Sequence, residues 1–266
     1  MRLKLARMLA EPNYASVVLA AVLLTAAIPP AMAQWVGIPN KDPKTKDGKP
    51  DLPAPTPRAT DGKPDLGGVW MMDAKGFSEG LGEYVDGGLP LQMWAQALTD
   101  ERGANGAAGV PTARCLPPGI PMLSTSTIAY PLKIVQEESL VVMLYEYFGK
   151  FRQVFLDGRS LPHEPNPTWL GYSVGRWDSE KLIIDSIGFN GKIWLDTPGH
   201  PATDALRITE TYQRPDYGHL ELRMTIDDRQ AYTQPWTVTM KMHLVTTGDL
   251  YEYVCNENEK DAAHAH

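Results

Sequence analysis

The chain has 266 residues, 43% of them hydrophobic and 21% charged, with a formal net charge of −7. An acidic balance without a basic cluster argues against nucleic acid and against an anionic membrane surface as partners. No phosphate loop or dinucleotide fingerprint is present, so the commonest nucleotide-dependent enzymes are set aside as well.

Taken in order, the chain opens on a targeting segment. Arg2, Lys4 and Arg7 form a basic start, and Val17 to Ile28 is an apolar run, too short to span a bilayer core of roughly 30 Å as a helix. Ala31-Met32-Ala33 matches a small-x-small cleavage signature, so residues 1–33 read as a signal peptide and Gln34 as the mature start. Its removal takes away three basic residues and one acidic one, leaving 22 Lys+Arg against 31 Asp+Glu, a net of −9. Export implies a periplasmic or secreted protein with no membrane insertion after cleavage. In an oxidising compartment the two cysteines, Cys115 and Cys255, are expected to pair. Neither belongs to a C-x-x-C pair, which argues against redox catalysis.

Residues 34–60 read as a Pro-rich linker, with six prolines and too little apolar surface to order itself. A short repeat runs through it: Asp47-Gly48-Lys49-Pro50-Asp51-Leu52 recurs as Asp61-Gly62-Lys63-Pro64-Asp65-Leu66. A single domain is expected over 61–258, with 259–266 as a frayed tail. Leu66-Gly67-Gly68-Val69-Trp70 opens it, and a Gly-x-Trp on a first strand resembles the start of lipocalin-type barrels, where the Trp plugs one end. Leu91, Trp94, Ala95 and Leu98 have helical spacing after Pro90, which predicts one short helix near residues 90–102.

From Ala129 onward nine segments are strand-like, from Leu132–Glu137 through to Leu250–Cys255. They are rich in Val, Ile, Tyr, Phe and Trp, and most are separated by short turns. The predicted fold is mainly β: an antiparallel meander closing into a lipocalin-like (calycin-like) barrel, since closure removes the exposed sheet edges. Alternation places charges among apolar positions. Glu210 shares a face with Leu206, Ile208 and Tyr212; Glu146 with Val142, Leu144 and Phe148; Asp185 with Ile183 and Ile187; Arg176 with Tyr172 and Val174. A buried carboxylate without a partner costs several kcal/mol. So these faces either line a wet cavity or carry structural ion pairs, for example Glu146 with Arg152. A three-residue loop at Arg214–Asp216 would pair Tyr212 with Gly218 and Glu210 with Leu220.

The loop Asn190–Asp204 gathers Asn190, Trp194, Asp196, His200 and Asp204. The four-residue spacing of Asp196, His200 and Asp204 would align metal ligands on a helix, but Pro198, Gly199 and Pro201 break one, so no metal site and no cofactor are expected. On a loop, His200 and Asp196 can still form an oriented acid/base pair. Long connections in compact domains are usually functional, so this loop is expected to border the main pocket, with inward Asp185 and Glu210 toward it.

Four motifs together, Asp61-Gly62-Lys63-Pro64-Asp65-Leu66-Gly67-Gly68-Val69-Trp70, Arg114-Cys115-Leu116-Pro117-Pro118-Gly119, Gly171-Tyr172-Ser173-Val174-Gly175-Arg176-Trp177 and Val254-Cys255-Asn256-Glu257-Asn258, carry a resemblance over nearly all of the mature chain. The chain resembles a large, uncharacterised family of secreted proteins of environmental bacteria. The resemblance implies secretion and a single domain, and brings no catalytic residues.

These readings give three functions. The first is binding of a small, partly apolar molecule in the barrel cavity, with Trp194, Asn190, Arg176, Glu146 and Tyr172 around it. The second is a cofactor-free hydrolase, lyase or isomerase using His200, Asp196, Asp185 and Glu210. The third is a cell-surface interaction domain on a Pro-rich spacer. The oligomeric state is left open.

Overall fold

The computed structural model describes residues 42–73, 80–125 and 130–255. The expected signal peptide, residues 34–41 of the expected linker and the expected tail at 259–266 lie outside them.

Nine strands close into a barrel in sequence order: β1 (Gly68–Met72), β2 (Leu132–Gln136), β3 (Leu140–Tyr145), β4 (Lys150–Phe155), β5 (Tyr172–Asp178), β6 (Lys181–Ile187), β7 (Arg207–Gln213), β8 (His219–Asp227) and β9 (Trp236–Leu244). The Gly-x-Trp strand is β1, and it completes the ring by pairing with both β2 and β9. The expected strand at Leu250–Cys255 does not form. That segment is held instead by the Tyr251 N–H, which donates to the Glu146 carboxylate at 2.8 Å, and by Cys255, which is bonded to Cys115. The helix spans Met93–Ala104, buries Ala95, and is pinned by the Trp94 indole N–H on the Gln230 carbonyl.

An odd number of strands in a ring cannot alternate direction all the way round. At least one seam must be parallel, and here it is β4–β5. The expected mainly β barrel with an antiparallel meander is what forms, and its strand pairing departs from antiparallel at this seam alone. A parallel pair needs a crossover connection of a dozen residues or more, and residues 156–171 supply one.

The barrel interior is packed. Trp70, Ile134, Met143, Leu182, Ile184, Leu222, Met224 and Met240 point inward and are at most 3% exposed. On β8 and β9 inward apolar residues alternate with outward polar ones. The β7–β8 ladder keeps the predicted faces but not the predicted register: Tyr212 pairs with Leu222 and Glu210 with Met224. The tight turn fails because Tyr217 and Gly218 are engaged elsewhere, their N–H groups donating to the Ala54 and Leu52 carbonyls at 2.8 Å each.

Those two bonds overturn the linker reading for residues 42–60. The chain there lies on one end of the barrel as two copies of one turn, 14 residues apart. In the first, Thr45 N–H donates to Lys49 O, Gly48 N–H to Thr45 O and Asp51 N–H to Pro43 O; in the second, Ala59 to Lys63, Gly62 to Ala59 and Asp65 to Pro57 repeat the pattern. Gly48 and Gly62 both sit at positive φ, which the turn requires and glycine supplies without strain. Order comes from docking: Leu52 approaches Gly218 so closely that a Cβ there would lie 2.5 Å from it. Arg214 completes this end. Its guanidinium lies 4.8 Å over the Trp70 ring and donates to the Asp65 carbonyl, while the Trp70 indole donates to Leu66 O.

Candidate ligand-binding site

The parallel seam is short. Only Val154↔Ser173 and Phe155↔Val174 are in register. Beyond those pairs β4 and β5 diverge, and the crossover passes over the gap. Over this seam, mostly on the outer face and beneath the crossover, lies a cavity of about 770 Å³, within the range of small-molecule sites. The ligand cavity expected inside the barrel is not found among the described residues, because that interior is filled by side chains. Most of its wall is apolar or aromatic: Pro117, Phe151, Phe155, Leu161, Pro162, Trp169, Leu170, Tyr172 and Val174. Phe151 stands at 61% exposure. Arg152, Gln153, Arg159, Ser160, Thr168 and Ser173 supply the polar groups.

Two backbone features set the crossover. Thr168 bonds in parallel to the β6 extension, its N–H donating to Gly188 O and its carbonyl accepting from Asn190 N–H, both at 2.9 Å. Gly188 has φ +79, and a Cβ on it would lie 2.8 Å from Pro165 and 2.9 Å from Tyr172. Gly188→Ala is therefore expected to displace the crossover wall, because alanine adds both the left-handed backbone strain and the clash. Its measurable result is a loss of melting temperature together with weaker ligand binding at the cavity.

Both cations of the wall are compensated. Arg159 donates from Nε to Asp157 at 2.9 Å and stacks 3.8 Å over the Phe155 ring. Arg152 belongs to a buried polar cluster inside the barrel. Its Nε donates to Ser173 Oγ at 2.9 Å, and its Nη2 to Ser186 Oγ at 2.7 Å and to Glu210 at 2.5 Å. The Arg152 and Glu210 side chains are 2% and 0% exposed. Tyr212 donates to the other Glu210 oxygen at 3.1 Å, and the Tyr145 hydroxyl lies 3.2 Å from Ser124 Oγ. Burial works against the Arg152 charge, but the facing Glu210 carboxylate outweighs it and holds the guanidinium above its ordinary pKa. Burial, aided by Glu210, drives the Tyr212 hydroxyl well above its usual range.

The structure sorts the sequence-predicted site residues as follows. Tyr172 lines the cavity. Glu210 is inward as expected, but as half of an ion pair with Arg152; Glu146 is not that partner, and its carboxylate instead fixes the Tyr251 backbone. Asp185 and Arg176 do not face inward. They form an ion pair with each other on the outer surface, and Thr209 donates to Asp185 at 2.8 Å. Ser186, one residue on, takes the inward place instead.

The loop Asn190–Asp204 does not line this cavity through His200 or Asp196. It caps the barrel end where β6 and β8 finish, burying Ile193, Trp194 and Leu195 at 1%, 5% and 0% exposure. Arg102 lies 4.3 Å over Trp194 and donates to Gly199 O. His200 and Asp196 do meet, Nδ1 to Oδ2 at 2.6 Å, but Asp196 also accepts the backbone N–H of Leu81 at 2.8 Å and of His200 at 3.2 Å. The pair ties the loop to the segment at Leu81–Tyr84. Asn190 Oδ1 accepts the Lys192 N–H as a turn former, and Asp204 lines a separate pocket of about 290 Å³. Among the described residues no three His, Cys, Asp or Glu side chains group as a metal-ligand set.

Sequence reasoning missed Phe151, Phe155, Leu161, Trp169 and Leu170 as one wall. The signal was the length of 156–171 with Pro162, Pro165 and Pro167 in it, too long for a hairpin. It also read the chain as having no Gly-x-Ser-x-Gly motif, which is wrong, since Gly171-Tyr172-Ser173-Val174-Gly175 has that spacing. The motif lies in and just before strand β5, not on a strand-to-helix elbow, and Ser173 Oγ contacts Arg152 and Ser186 rather than a histidine. It is not a nucleophile elbow.

No model of a known protein family matches the chain, and no curated protein is similar to it.

Proposed function

We propose that the protein binds a small, neutral, partly apolar molecule in the cavity at the β4–β5 seam, and does so after export to an oxidising compartment. The observation that carries this reading is the cavity itself: mainly apolar walls with a few polar groups, whose two cations are both neutralised within the protein. An anionic ligand would have to displace Asp157 or Glu210 to reach an arginine, and the lining residues include no carboxylate for a cationic one, whereas a neutral ligand needs only the apolar wall and a hydrogen bond. The Cys115–Cys255 bond and the resemblance to secreted proteins support the export part.

Thermal-shift screening against neutral apolar metabolites tests it. A ligand that binds only the folded state raises the melting temperature by mass action. Trp169→Ala and Phe155→Ala are expected to abolish the shift, and His200→Ala to keep it. The reverse pattern would favour the second reading, acid/base catalysis, which rests on the Asp196–His200 contact. The spacer role expected for residues 34–60 has no support over 42–60, where the chain is docked on the barrel.

A further inference from the structure

On the outer face of the barrel, away from the cavity, His219 of β8 stands directly opposite His243 of β9. The neighbouring pair Gly218↔Leu244 is hydrogen-bonded, with Leu244 N–H donating to Gly218 O at 2.8 Å. Pairs alternate along an antiparallel ladder, so His219↔His243 is a non-hydrogen-bonded pair, the type that brings opposed side chains closest. Each ring is tied at the same nitrogen to a carboxylate. His219 Nδ1 lies 2.8 Å from Asp216 Oδ1, and His243 Nδ1 lies 2.5 Å from Asp73 Oδ1. A carboxylate on Nδ1 keeps the proton there and leaves the lone pair on Nε2, the arrangement in which histidine binds a transition metal. Both side chains are nearly half exposed, so the two Nε2 atoms need no burial to be reached.

We propose that His219 and His243 form a surface site for a divalent transition metal of imidazole preference, Cu²⁺ before Zn²⁺ or Ni²⁺. The protein supplies two nitrogen ligands, Asp216 and Asp73 orient them from the outer shell, and water completes the coordination. The metal is bound whole, with no redox or group-transfer step. Glu221 and Lys241 face each other one step along the ladder and offset one another there.

The experiment is a titration of the full chain with Cu²⁺ alone at neutral pH, followed by calorimetry and by electron paramagnetic resonance. The chain also ends in His264-Ala265-His266, a second source of imidazole, so the double variant His264→Ala/His266→Ala is run beside the wild type. In that background one Cu²⁺ should still bind with a signature of two nitrogen ligands. His219→Ala or His243→Ala should each weaken it at least tenfold, since either removes the chelate. Asp73→Asn and Asp216→Asn should weaken it about tenfold or more while leaving both imidazoles in place. If binding disappears with His264 and His266, or survives unchanged in His219→Ala or His243→Ala, the proposal is wrong. His219, His243, Asp73 and Asp216 are all partly exposed, and circular dichroism of each variant confirms that a loss of metal is not a loss of fold.

Discussion

Glu210→Leu is expected to destabilise the protein by about 3–5 kcal/mol, read as a drop in the urea midpoint. Leucine is close to glutamate in size, so the loss is not one of packing. It comes from Arg152, whose guanidinium is 2% exposed and keeps its charge because Glu210 faces it at 2.5 Å. Without that carboxylate the cation stays buried with two serine hydroxyls and the Met143 sulfur around it. Tyr212 loses its acceptor in the same step, leaving a second buried polar group unsatisfied. The double variant Arg152→Met/Glu210→Leu should recover part of the loss, because it removes the uncompensated cation, while Tyr212 stays without its acceptor and Ser173 and Ser186 remain 3.0 Å apart. A Glu210→Leu protein as stable as the wild type would mean that this pair does not hold the barrel, and would return Glu210 to the list of functional candidates.

Removing the disulfide is the second large effect. Cys115 follows the turn at Pro111–Arg114, Cys255 lies beyond β9, and the closed loop of 140 residues encloses eight of the nine strands. Chain-entropy arguments put such a closure at about 4–5 kcal/mol, and Cys255→Ser is expected to lower stability by about 2–5 kcal/mol. The segment has further anchors besides the bond and the Tyr251 N–H on Glu146. Tyr253 packs edge-on to Tyr130 and Tyr147 and stacks on Phe148 with centroids 5.2 Å apart. That cluster keeps the C-terminal segment near the β3–β4 turn even without the bond and places the expected loss below the full entropic value. Intact-mass analysis with thiol alkylation under non-reducing conditions checks the bond first: no alkylated thiol is expected in exported protein, and two would contradict it.

The barrel was legible because the signals that specify it are local. Alternation along β8 and β9 is dense, turn residues punctuate the strands, and Trp70 after Gly68 marks the plug. The inward place of Glu210 followed from the same alternation, since parity survives an error of register. Its partner did not, because Arg152 reaches it across the barrel from a strand 58 residues away, and a single sequence holds no trace of that approach. Asp185 failed for the complementary reason. Its strand carries apolar residues on both faces, Leu182 and Ile184 inward with Ile183 and Ile187 outward, so hydrophobicity alone did not say which face was the core. The docking of residues 42–60 was hidden in composition, since proline and charge look the same in a linker and in a strap held by backbone bonds to Tyr217 and Gly218. The cavity was hidden in topology. Nothing in residues 150–174 says parallel except the length of the connection, and the histidine of the Asn190–Asp204 loop is a stronger chemical signal than the prolines of the crossover that walls the cavity.

The most direct test is a crystal structure of the protein soaked with the neutral apolar molecule that gives the largest thermal shift. The ligand is expected between β4 and β5, against Phe155, Leu161 and Trp169, with its polar end toward Ser173 or Gln153. Density beside His200 and Asp196, or in the packed interior among Trp70 and Met224, with the seam empty, would contradict the assignment.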